Sequence, residues 1–405
     1  DLVLGIWNLR RSGFLITLYH GESMLLADAI RNSRALLCLE CGKCTGICPV
    51  SRFNHNYSPR ILLNRALRGL NSDLLKDKNI WSCLTCQLCD ETCPAGINYI
   101  ELTQAIRLEA TKLGEEALCS HGGAAQSMMR IMSSPGLNPR RMDWLDKSLK
   151  ISENADTLFF VGCAPFFDVL FSDIGVMPTT TANASIKILN HIGINPVLFK
   201  DERCCGHDLL WQGDFGNFKK LAQLNVNLIK NSGIKKIIFS CPECYRTFKL
   251  DYAKYFDFSI EMYHISEIIA RAIDEKKIRL KELDRVITFQ DPCRLGRHLG
   301  IYDEPRKVFN AIPKLMLKEM RHNKNRAICC GVSAWMNCSN YSKRIQITRL
   351  KEAKESGADL LITACPKCEI HFNCAMKETL EAQRQEEIKI ETKSLENLVA
   401  EAMEG

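Results

Sequence analysis

The chain has 405 residues, of which 46% are hydrophobic and 25% charged, so it can form a packed core and lacks the composition of a disordered chain. Its formal net charge is +7, but lysine and arginine are scattered and no aromatic-plus-basic motif occurs, so no nucleic-acid partner is expected. The unusual feature is the presence of 21 cysteines against only 9 histidines.

The cysteine pattern is not that of a secreted disulfide scaffold, which would be short, evenly paired and preceded by a signal peptide. The cysteine count is odd, and the sequence starts at Asp1 with no cleavable apolar segment. No run of about 18 uncharged apolar residues occurs, so no membrane span is predicted. These features favour metal-bound thiolates in a reducing compartment and predict a cytoplasmic protein.

Two cysteine quartets share the spacing C-x2-C-x2-C-x3-C-P; they are Cys38, Cys41, Cys44 and Cys48, then Cys83, Cys86, Cys89 and Cys93. In this spacing three thiolates from a tight turn hold three corners of a [4Fe-4S] cubane, while the fourth reaches the neighbouring cluster. The predicted ligand sets are therefore crossed: Cys38, Cys41, Cys44 and Cys93 for one cluster, and Cys83, Cys86, Cys89 and Cys48 for the other. Two structural zinc sites are the alternative, but they leave the third cysteine and the trailing proline unexplained.

Two helices are predicted between and after the quartets. Ser58 and Pro59 form a helix-start pair, followed by an apolar face made of Leu62, Leu63, Ala66, Leu67 and Leu70. A second helix ends at Gly114 and has an apolar face made of Leu102, Ile106, Ala110 and Leu113. Helices rather than strands connect the ligand loops, which predicts an all-α ferredoxin domain over residues 31–114 and a linker over residues 115–154.

From about residue 155 the pattern changes to short β-rich runs that alternate with helical stretches. Examples of the β-rich runs are residues 157–163 and 237–241. Such alternation predicts right-handed crossovers and a parallel sheet. We therefore expect α/β structure throughout the second part of the chain.

The α/β part is an internal duplication built on two cysteine pentads. The first pentad is Cys163, Cys204, Cys205, Cys241 and Cys244, and the second is Cys293, Cys329, Cys330, Cys365 and Cys368. Helix-like runs at 218–232 and 341–356, each stopped by glycine, repeat with them, as do strand-to-helix runs at 262–273 and 392–403. The sequence predicts two pseudo-twofold-related α/β lobes with parallel sheets, over residues 155–280 and 281–405.

Adjacent cysteines chelate a single tetrahedral zinc poorly, because neighbouring side chains point apart. They suit a cluster in which one sulfur bridges two irons, and five thiolates are one more than a cubane needs. The pentads therefore indicate an unusual iron-sulfur cluster, with a vestigial fold that keeps structural thiols as the alternative. The cysteines outside the quartets and pentads are predicted to be small buried hydrophobes; they are Cys119, Cys338 and Cys374.

The pentads, fused to the two-cubane motif, resemble the cysteine-rich domains of heterodisulfide reductases, and the likeness covers about residues 30–405. The chain is similar to the single-chain catalytic component, the D subunit, of the membrane-linked type. The resemblance implies that each pentad binds a noncubane [4Fe-4S] cluster through its five cysteines, and that the two clusters face a substrate disulfide at the lobe interface. On this basis Cys205 and Cys330 are the candidate catalytic ligands.

The same resemblance extends to subunits that act on no disulfide, such as those of anaerobic glycerol-3-phosphate dehydrogenase (its C subunit), glycolate oxidase, a sulfite-reduction-associated membrane complex and tungsten-type benzoyl-CoA reductase. The alternative function is therefore an electron relay within a quinone- or flavin-linked complex. Either function implies redox partners such as a flavoprotein, a cytochrome b or a ferredoxin-like protein. Residues 1–30, and in particular the apolar stretch 2–19, are the predicted docking segment for peripheral association at the inner face of the membrane.

Four side chains near the pentads are candidates for substrate chemistry. Arg294, Arg297 and His298 lie beside Cys293 in sequence and would suit an anionic substrate group, although they could instead offset cluster charge or form a solvated face. His207 follows the first C-C-G and could donate a proton to a leaving thiolate or hydrogen bond a cluster sulfur.

Overall fold

The computed structural model describes residues 26–69, 72–380 and 388–404. The apolar stretch 2–19 of the predicted docking segment therefore lies outside the described residues, as does Leu70 of the first predicted helix. Within the described residues, no helix is both long enough and apolar enough to cross a bilayer.

The N-terminal part is helical, as predicted. Ser58 caps its first long helix by accepting a hydrogen bond from the Ile61 amide at 3.3 Å. The second long helix ends at Lys112, two residues before the predicted end at Gly114, because the chain turns at Gly114 with φ of 82° and leaves Leu113 59% exposed. The helices are α1 (Leu26–Asn32), α2 (Lys43–Ile47), α3 (Pro59–Leu67), α4 (Ser72–Leu75), α5 (Leu88–Glu91), α6 (Tyr99–Lys112) and α7 (Ala124–Met132).

The segment predicted as a linker is ordered around α7. Met129 and Met132 of this helix are buried in the core of the α/β part. The Gln126 side chain donates to the carbonyl oxygens of Ala334 and Trp335, at 2.9 and 3.2 Å. Residues 115–154 therefore contribute to the packing between the helical part and the lobes.

The first lobe has a parallel sheet in the order β1-β2-β3, in which Phe160 pairs with Phe239 and Phe239 with His264. Val197 forms a single parallel bridge with Leu158 at the free edge of β1. The elements are β1 (Thr157–Phe160), α8 (Ala164–Leu170), α9 (Pro178–His191), α10 (His207–Gln212), α11 (Phe215–Lys230), β2 (Lys236–Phe239), α12 (Pro242–Arg246), α13 (Ala253–Tyr255), β3 (Glu261–His264) and α14 (Ile265–Asp274).

The second lobe repeats this order and extends the single bridge into a strand, which gives the parallel order β5-β4-β6-β7. The α/β class with an all-α N-terminal part is thereby confirmed. The elements are β4 (Arg285–Gln290), α15 (Asp303–Asn310), β5 (Leu315–Leu317), α16 (Asn340–Glu355), β6 (Leu360–Thr363), α17 (Pro366–Leu380), β7 (Glu391–Ser394) and α18 (Leu395–Ala402).

The lobes pack on each other reciprocally. Helix α9 of the first lobe packs on α18 of the second, and α15 of the second packs on α14 of the first. Because α9 corresponds to α15 and α14 to α18 in the repeat, the same two surfaces meet twice. This is the packing that a pseudo-twofold axis produces.

The helical part shares its hydrophobic core with the second lobe. Trp81 and Leu102 of the helical part belong to the same buried cluster as Leu361 and Phe372 of the second lobe. The first lobe forms most of a separate cluster, to which the lobe interface contributes. The helical part is therefore anchored chiefly on the second lobe, and this decides which cysteines come together.

Candidate metal centres

The first crossed quartet surrounds a partly open cavity lined by Cys38, Cys41, Cys44 and Cys93. Gly42, with φ of 75°, turns the chain into α2, and Cys41 and Cys44 line the same cavity. Cys44 lies within electrostatic reach of both Cys38 and Cys93. Cys41 is exposed, so this site is the one closest to solvent.

The second crossed quartet is more deeply placed. Cys83 and Cys86 are buried, and Cys48 reaches them from the first motif. The Thr85 amide donates to the Cys83 sulfur at 3.3 Å. The structure therefore brings together the two crossed sets that the spacing predicts.

Each pentad lies at the carboxyl ends of two adjacent parallel strands. In the first lobe Cys163 follows β1 and Cys241 follows β2, and the C-C-G loop approaches from the start of α10. All five sulfurs line one cavity. A Cβ at Gly162 would lie 3.0 Å from the Cys244 sulfur, so this position keeps the backbone close to the thiols. Ligand sites commonly form at this edge of a parallel sheet.

The second pentad repeats this placement after β4 and β6. A Cβ at Gly331 would lie 2.8 Å from the Ser342 carbonyl oxygen, and the residue has φ of 91°, so the C-C-G glycine is required here for both space and backbone conformation. His371 of α17 contacts the Cys330 sulfur through Nδ1 at 3.3 Å. The Thr247 position corresponds to His371 in the first lobe, so the two pentads have different neighbours.

The thiols of each pentad hydrogen bond to one another. In the first lobe, hydrogen bonds from Cys163 (the larger effect) and from Cys205 lower the pKa of Cys204 well below its usual range, against the effect of burial. In the second lobe hydrogen bonds from Cys329 and Cys368 lower the pKa of Cys330 in the same way. Metal ligation requires thiolates. All 21 cysteines lie within the described ranges and all are free, so the thiols of these sites are available as ligands for iron-sulfur clusters.

The second quartet adjoins the second pentad directly. Cys86 and Cys329 hydrogen bond through their side chains. This bond, helped by the positive charges of Arg297 and Arg294, lowers the pKa of Cys86 to about 6, against the effect of burial. Cys293 has its pKa lowered by Cys329 and by the same two arginines. The two arginines therefore offset the negative charge of thiolates on both sides of this contact.

The residues predicted to bind a substrate anion have most of their donors engaged by the protein, although Nη2 of Arg297 is buried without a hydrogen-bond partner. Arg294 is 2% exposed and donates to the carbonyl and the hydroxyl of Thr85, while Arg297 donates to the Cys86 carbonyl at 2.5 Å. His298 is partly buried and contacts the Thr85 carbonyl at 3.0 Å. These contacts join the second lobe to the second quartet, and anion binding by the three residues stays a prediction.

A buried ionic cluster lies where the two C-P-x-C turns meet. Lys367, from the second turn, lies 2.5 Å from Glu243 of the first turn and 2.5 Å from Asp208. These three side chains are at most 9% exposed. Sequence reasoning missed this cluster, although opposite charges at equivalent positions of a duplication were a usable signal.

His207 completes the ionic cluster. Its Nε2 accepts from the Arg294 guanidinium at 3.0 Å, so its Nδ1–H donates to Asp208 at 2.7 Å. Burial lowers the pKa of His207 well below its usual range, so the ring is neutral. Both ring nitrogens are thus engaged by other side chains, and proton donation by His207 stays a prediction.

Comparisons with known proteins follow the same division of the chain. Residues 34–97 match the 4Fe-4S dicluster domain, and residues 157–249 and 287–373 each match the cysteine-rich domain. The D subunit of the dihydromethanophenazine:CoB–CoM heterodisulfide reductase of Methanosarcina barkeri is 30% identical over 365 residues, which covers 82% of this chain and 86% of that protein. The chain belongs to the heterodisulfide reductase D-subunit family.

Relatives of this heterodisulfide reductase-type chain carry more than one name. The B subunit of the fumarate reductase (CoM/CoB) of Methanothermobacter marburgensis is 26% identical to this chain. The alignment covers 87% of this chain and 70% of that protein. The EtfAB:quinone oxidoreductase of Syntrophomonas wolfei is also 26% identical to this chain. The alignment covers 82% of this chain and 54% of that protein. This heterodisulfide reductase-type chain is thus an iron-sulfur oxidoreductase component with relatives in several redox complexes.

One further residue positions the backbone around the second quartet, and no sequence pattern identifies it. Arg107 of α6 is fully buried and donates to the carbonyl oxygens of Ile80, Trp81 and Cys83 in the helical part, at 3.1, 3.0 and 2.7 Å. It also donates to the Trp211 carbonyl of the first lobe at 2.9 Å. One guanidinium therefore links the second-quartet loop of the heterodisulfide reductase-type chain to the C-C-G helix of the first lobe.

Proposed function

We propose that this chain conducts electrons through four iron-sulfur clusters and delivers them to a disulfide bound between its two lobes. The quartets would hold two [4Fe-4S] cubanes and the pentads two noncubane [4Fe-4S] clusters. The main support for the proposal is that the cysteine sites adjoin one another. Cys86 of the second quartet hydrogen bonds Cys329 of the second pentad. The second pentad in turn faces the first, with Cys365 within electrostatic reach of Cys241.

When bound, the clusters supply single-electron transfer, and two pentad clusters can together deliver the two electrons that cleavage of a disulfide consumes. The chain's own residues set the spacing of the thiolates, offset their charge and bury ten of the eighteen predicted ligands. Lys367 also lines the cavity of the first pentad. Its ammonium group is held there by Asp208 and Glu243, at 2.5 Å from each.

The face around the first quartet is suited to electron exchange with a partner protein. Leu36, Leu37 and Leu39 are 63%, 50% and 68% exposed beside the exposed Cys41. Exposed apolar side chains grouped in this way are typical of protein interaction sites. Arg34, near the leucines, adds positive charge, which would suit a redox partner with an acidic rim.

Anaerobically purified protein is expected to contain about 16 iron atoms per chain and negligible zinc, because two quartets and two pentads each bind a four-iron cluster. Metal analysis of the purified chain checks this directly. A value near 8 would remove the pentad clusters from the proposal, and a stoichiometric amount of zinc would contradict it at the quartets.

Disulfide chemistry is tested on the anaerobic holoprotein after reduction by one electron per chain. Adding a small disulfide is expected to change the paramagnetic resonance spectrum of a pentad cluster, and dye-coupled turnover should release two thiols per disulfide. The thioether analogue of the same molecule is the matched control, because it has no bond to cleave. A panel of disulfides that leaves the spectrum unchanged contradicts this part of the proposal.

A pure electron relay is the second candidate, and the ionic cluster between the lobes favours it. Lys367, Glu243 and Asp208 fill the space where the two C-P-x-C turns meet. A relay would keep this space closed, whereas a disulfide reductase has to admit its substrate beside it. Loss of partner-complex turnover in pentad variants, without any response to a disulfide, would support the relay.

A further inference from the structure

Two cysteines outside the quartets and pentads meet at one lysine. The Lys343 ammonium donates to the Cys374 sulfur at 3.2 Å and also hydrogen bonds the side chain of Cys338. Glu378 lies 2.8 Å from the same ammonium. Both sulfurs therefore lie at the same ammonium group, and Cys338 is within electrostatic reach of Cys374.

This arrangement corrects an expectation from the sequence. The sequence predicts that Cys338 is a small buried hydrophobe, but it is exposed, and Cys374 is only partly buried. The cluster has no counterpart in the first lobe, where the repeat places Gly213 and Leu250 at these positions. The two thiols are thus a specific feature of the second lobe and not a product of the duplication.

We propose that Cys338 and Cys374 form a redox-active dithiol that closes into a disulfide by exchange with a low-molecular-weight disulfide. The exposed Cys338 thiolate attacks one sulfur of the small molecule, forms a mixed disulfide and releases the first thiol. Cys374 then attacks the Cys338 sulfur and releases the second thiol. The protein loses two electrons, the small disulfide gains them, and the two thiol protons of the protein leave with the released thiols.

Lys343 increases the reactivity of the two thiols. Partial burial raises the pKa of both thiols, and the Lys343 ammonium opposes that rise at each of them. Thiolate, not thiol, is the attacking species, so the ammonium speeds exchange at both steps. Glu378 offers the ammonium a place to move to, because the sulfurs must come to about 2.05 Å when the disulfide forms.

The dithiol is mechanically connected to the second pentad. Cys374 lies on α17, the helix that begins at the second C-P-x-C turn and carries His371 against the Cys330 sulfur. Cys338 lies just before α16, whose Ser342 carbonyl packs under Gly331. A crosslink would join the two segments that flank the second pentad. The ratio of small disulfides to small thiols would then determine whether a covalent link is present next to this cluster.

The experiment uses the oxidised holoprotein under anaerobic conditions with no electron donor, so that the clusters supply no electrons. Oxidised glutathione is added in excess, and the products are identified by peptide mass spectrometry, with iron content followed in parallel. The wild-type chain is expected to form a Cys338–Cys374 crosslink and release two equivalents of glutathione. Cys374→Ser should stop at a mixed disulfide on Cys338, and Lys343→Met should slow crosslinking about tenfold.

Cys119→Ser is the matched control, because Cys119 is also partly buried and hydrogen bonded by a side chain, Gln212 at 3.3 Å, but has no second thiol. Its crosslinking should equal that of the wild type at unchanged iron content. A wild-type chain that keeps glutathione on Cys338 without closing the crosslink would overturn the proposal, as would a Lys343→Met rate equal to that of the wild type. Because no donor is present, these outcomes are independent of catalytic disulfide reduction.

Discussion

Replacing Cys330 by alanine is expected to reduce dye-driven cleavage of a disulfide to background, and Cys205→Ala should do the same. The physical reason is that the two pentads act as a unit, since a disulfide yields two thiolates and consumes two electrons. Each single variant should therefore lose as much activity as the double variant, as is found for groups that depend on each other. Steady-state assays of the three variants with a reduced dye check this.

The loss of activity can be assigned to the pentads only if the quartet clusters still accept electrons in these variants. Electron acceptance from the dye by the quartet clusters should be retained in all three variants, because Cys38 and the other quartet ligands are unchanged. Cys119→Ala, the same substitution outside the pentads, should leave cleavage near the wild-type rate. Strictly additive losses, or activity that persists in either single variant, would contradict the shared role of Cys205 and Cys330.

Arg107→Met is expected to destabilise the holoprotein by about 3–4 kcal/mol, because the substitution leaves several buried carbonyl oxygens without a donor. Arg107→Lys should recover only part of this loss, since an ammonium cannot reach acceptors in the directions that a planar guanidinium serves. Anaerobic thermal unfolding, followed by circular dichroism and by cluster absorbance, measures the effect.

The control for Arg107 is Arg68→Met in the same helical part, because Arg68 is exposed. This change should stay within about 0.5 kcal/mol of the wild type, as surface substitutions usually do. We also expect the absorbance of the second quartet to be lost first in Arg107→Met, because the guanidinium holds the Cys83 carbonyl at 2.7 Å. Equal unfolding of both variants would show that the buried bonds carry little stability.

Local sequence signals were enough to predict the elements that position the ligands. The Ser58 cap, the glycine stops after α11 and α16, and the strand ends before each C-P-x-C turn depend on short-range physical chemistry. Gly233 and Gly357 take φ of 75° and 72° at the predicted stops. Candidate ligand residues could be named for the same reason, since thiolate spacing within a turn is a local property, and their role as ligands stays a prediction.

What the sequence could not provide is the arrangement of one centre relative to another. Cys86 and Cys329 are distant in the chain, and no periodicity relates them, so their contact depends on the core shared by the helical part and the second lobe. The pairing of Glu243 with Lys367 and of Cys338 with Cys374 likewise depends on tertiary packing. Of these contacts, only the Glu243–Lys367 pair has a signal in the sequence, because the two opposite charges occupy equivalent positions of the duplication.

The reciprocal contact of α9 with α18 also affects how the chain is made. Helix α9 ends at His191, and the α18 that covers it is the last helix described, so roughly two hundred residues must be translated between them. At ribosomal rates this takes on the order of 10 to 40 s. During that interval the apolar face of α9 has no native partner, so the nascent first lobe exposes an apolar surface of the kind that chaperones bind.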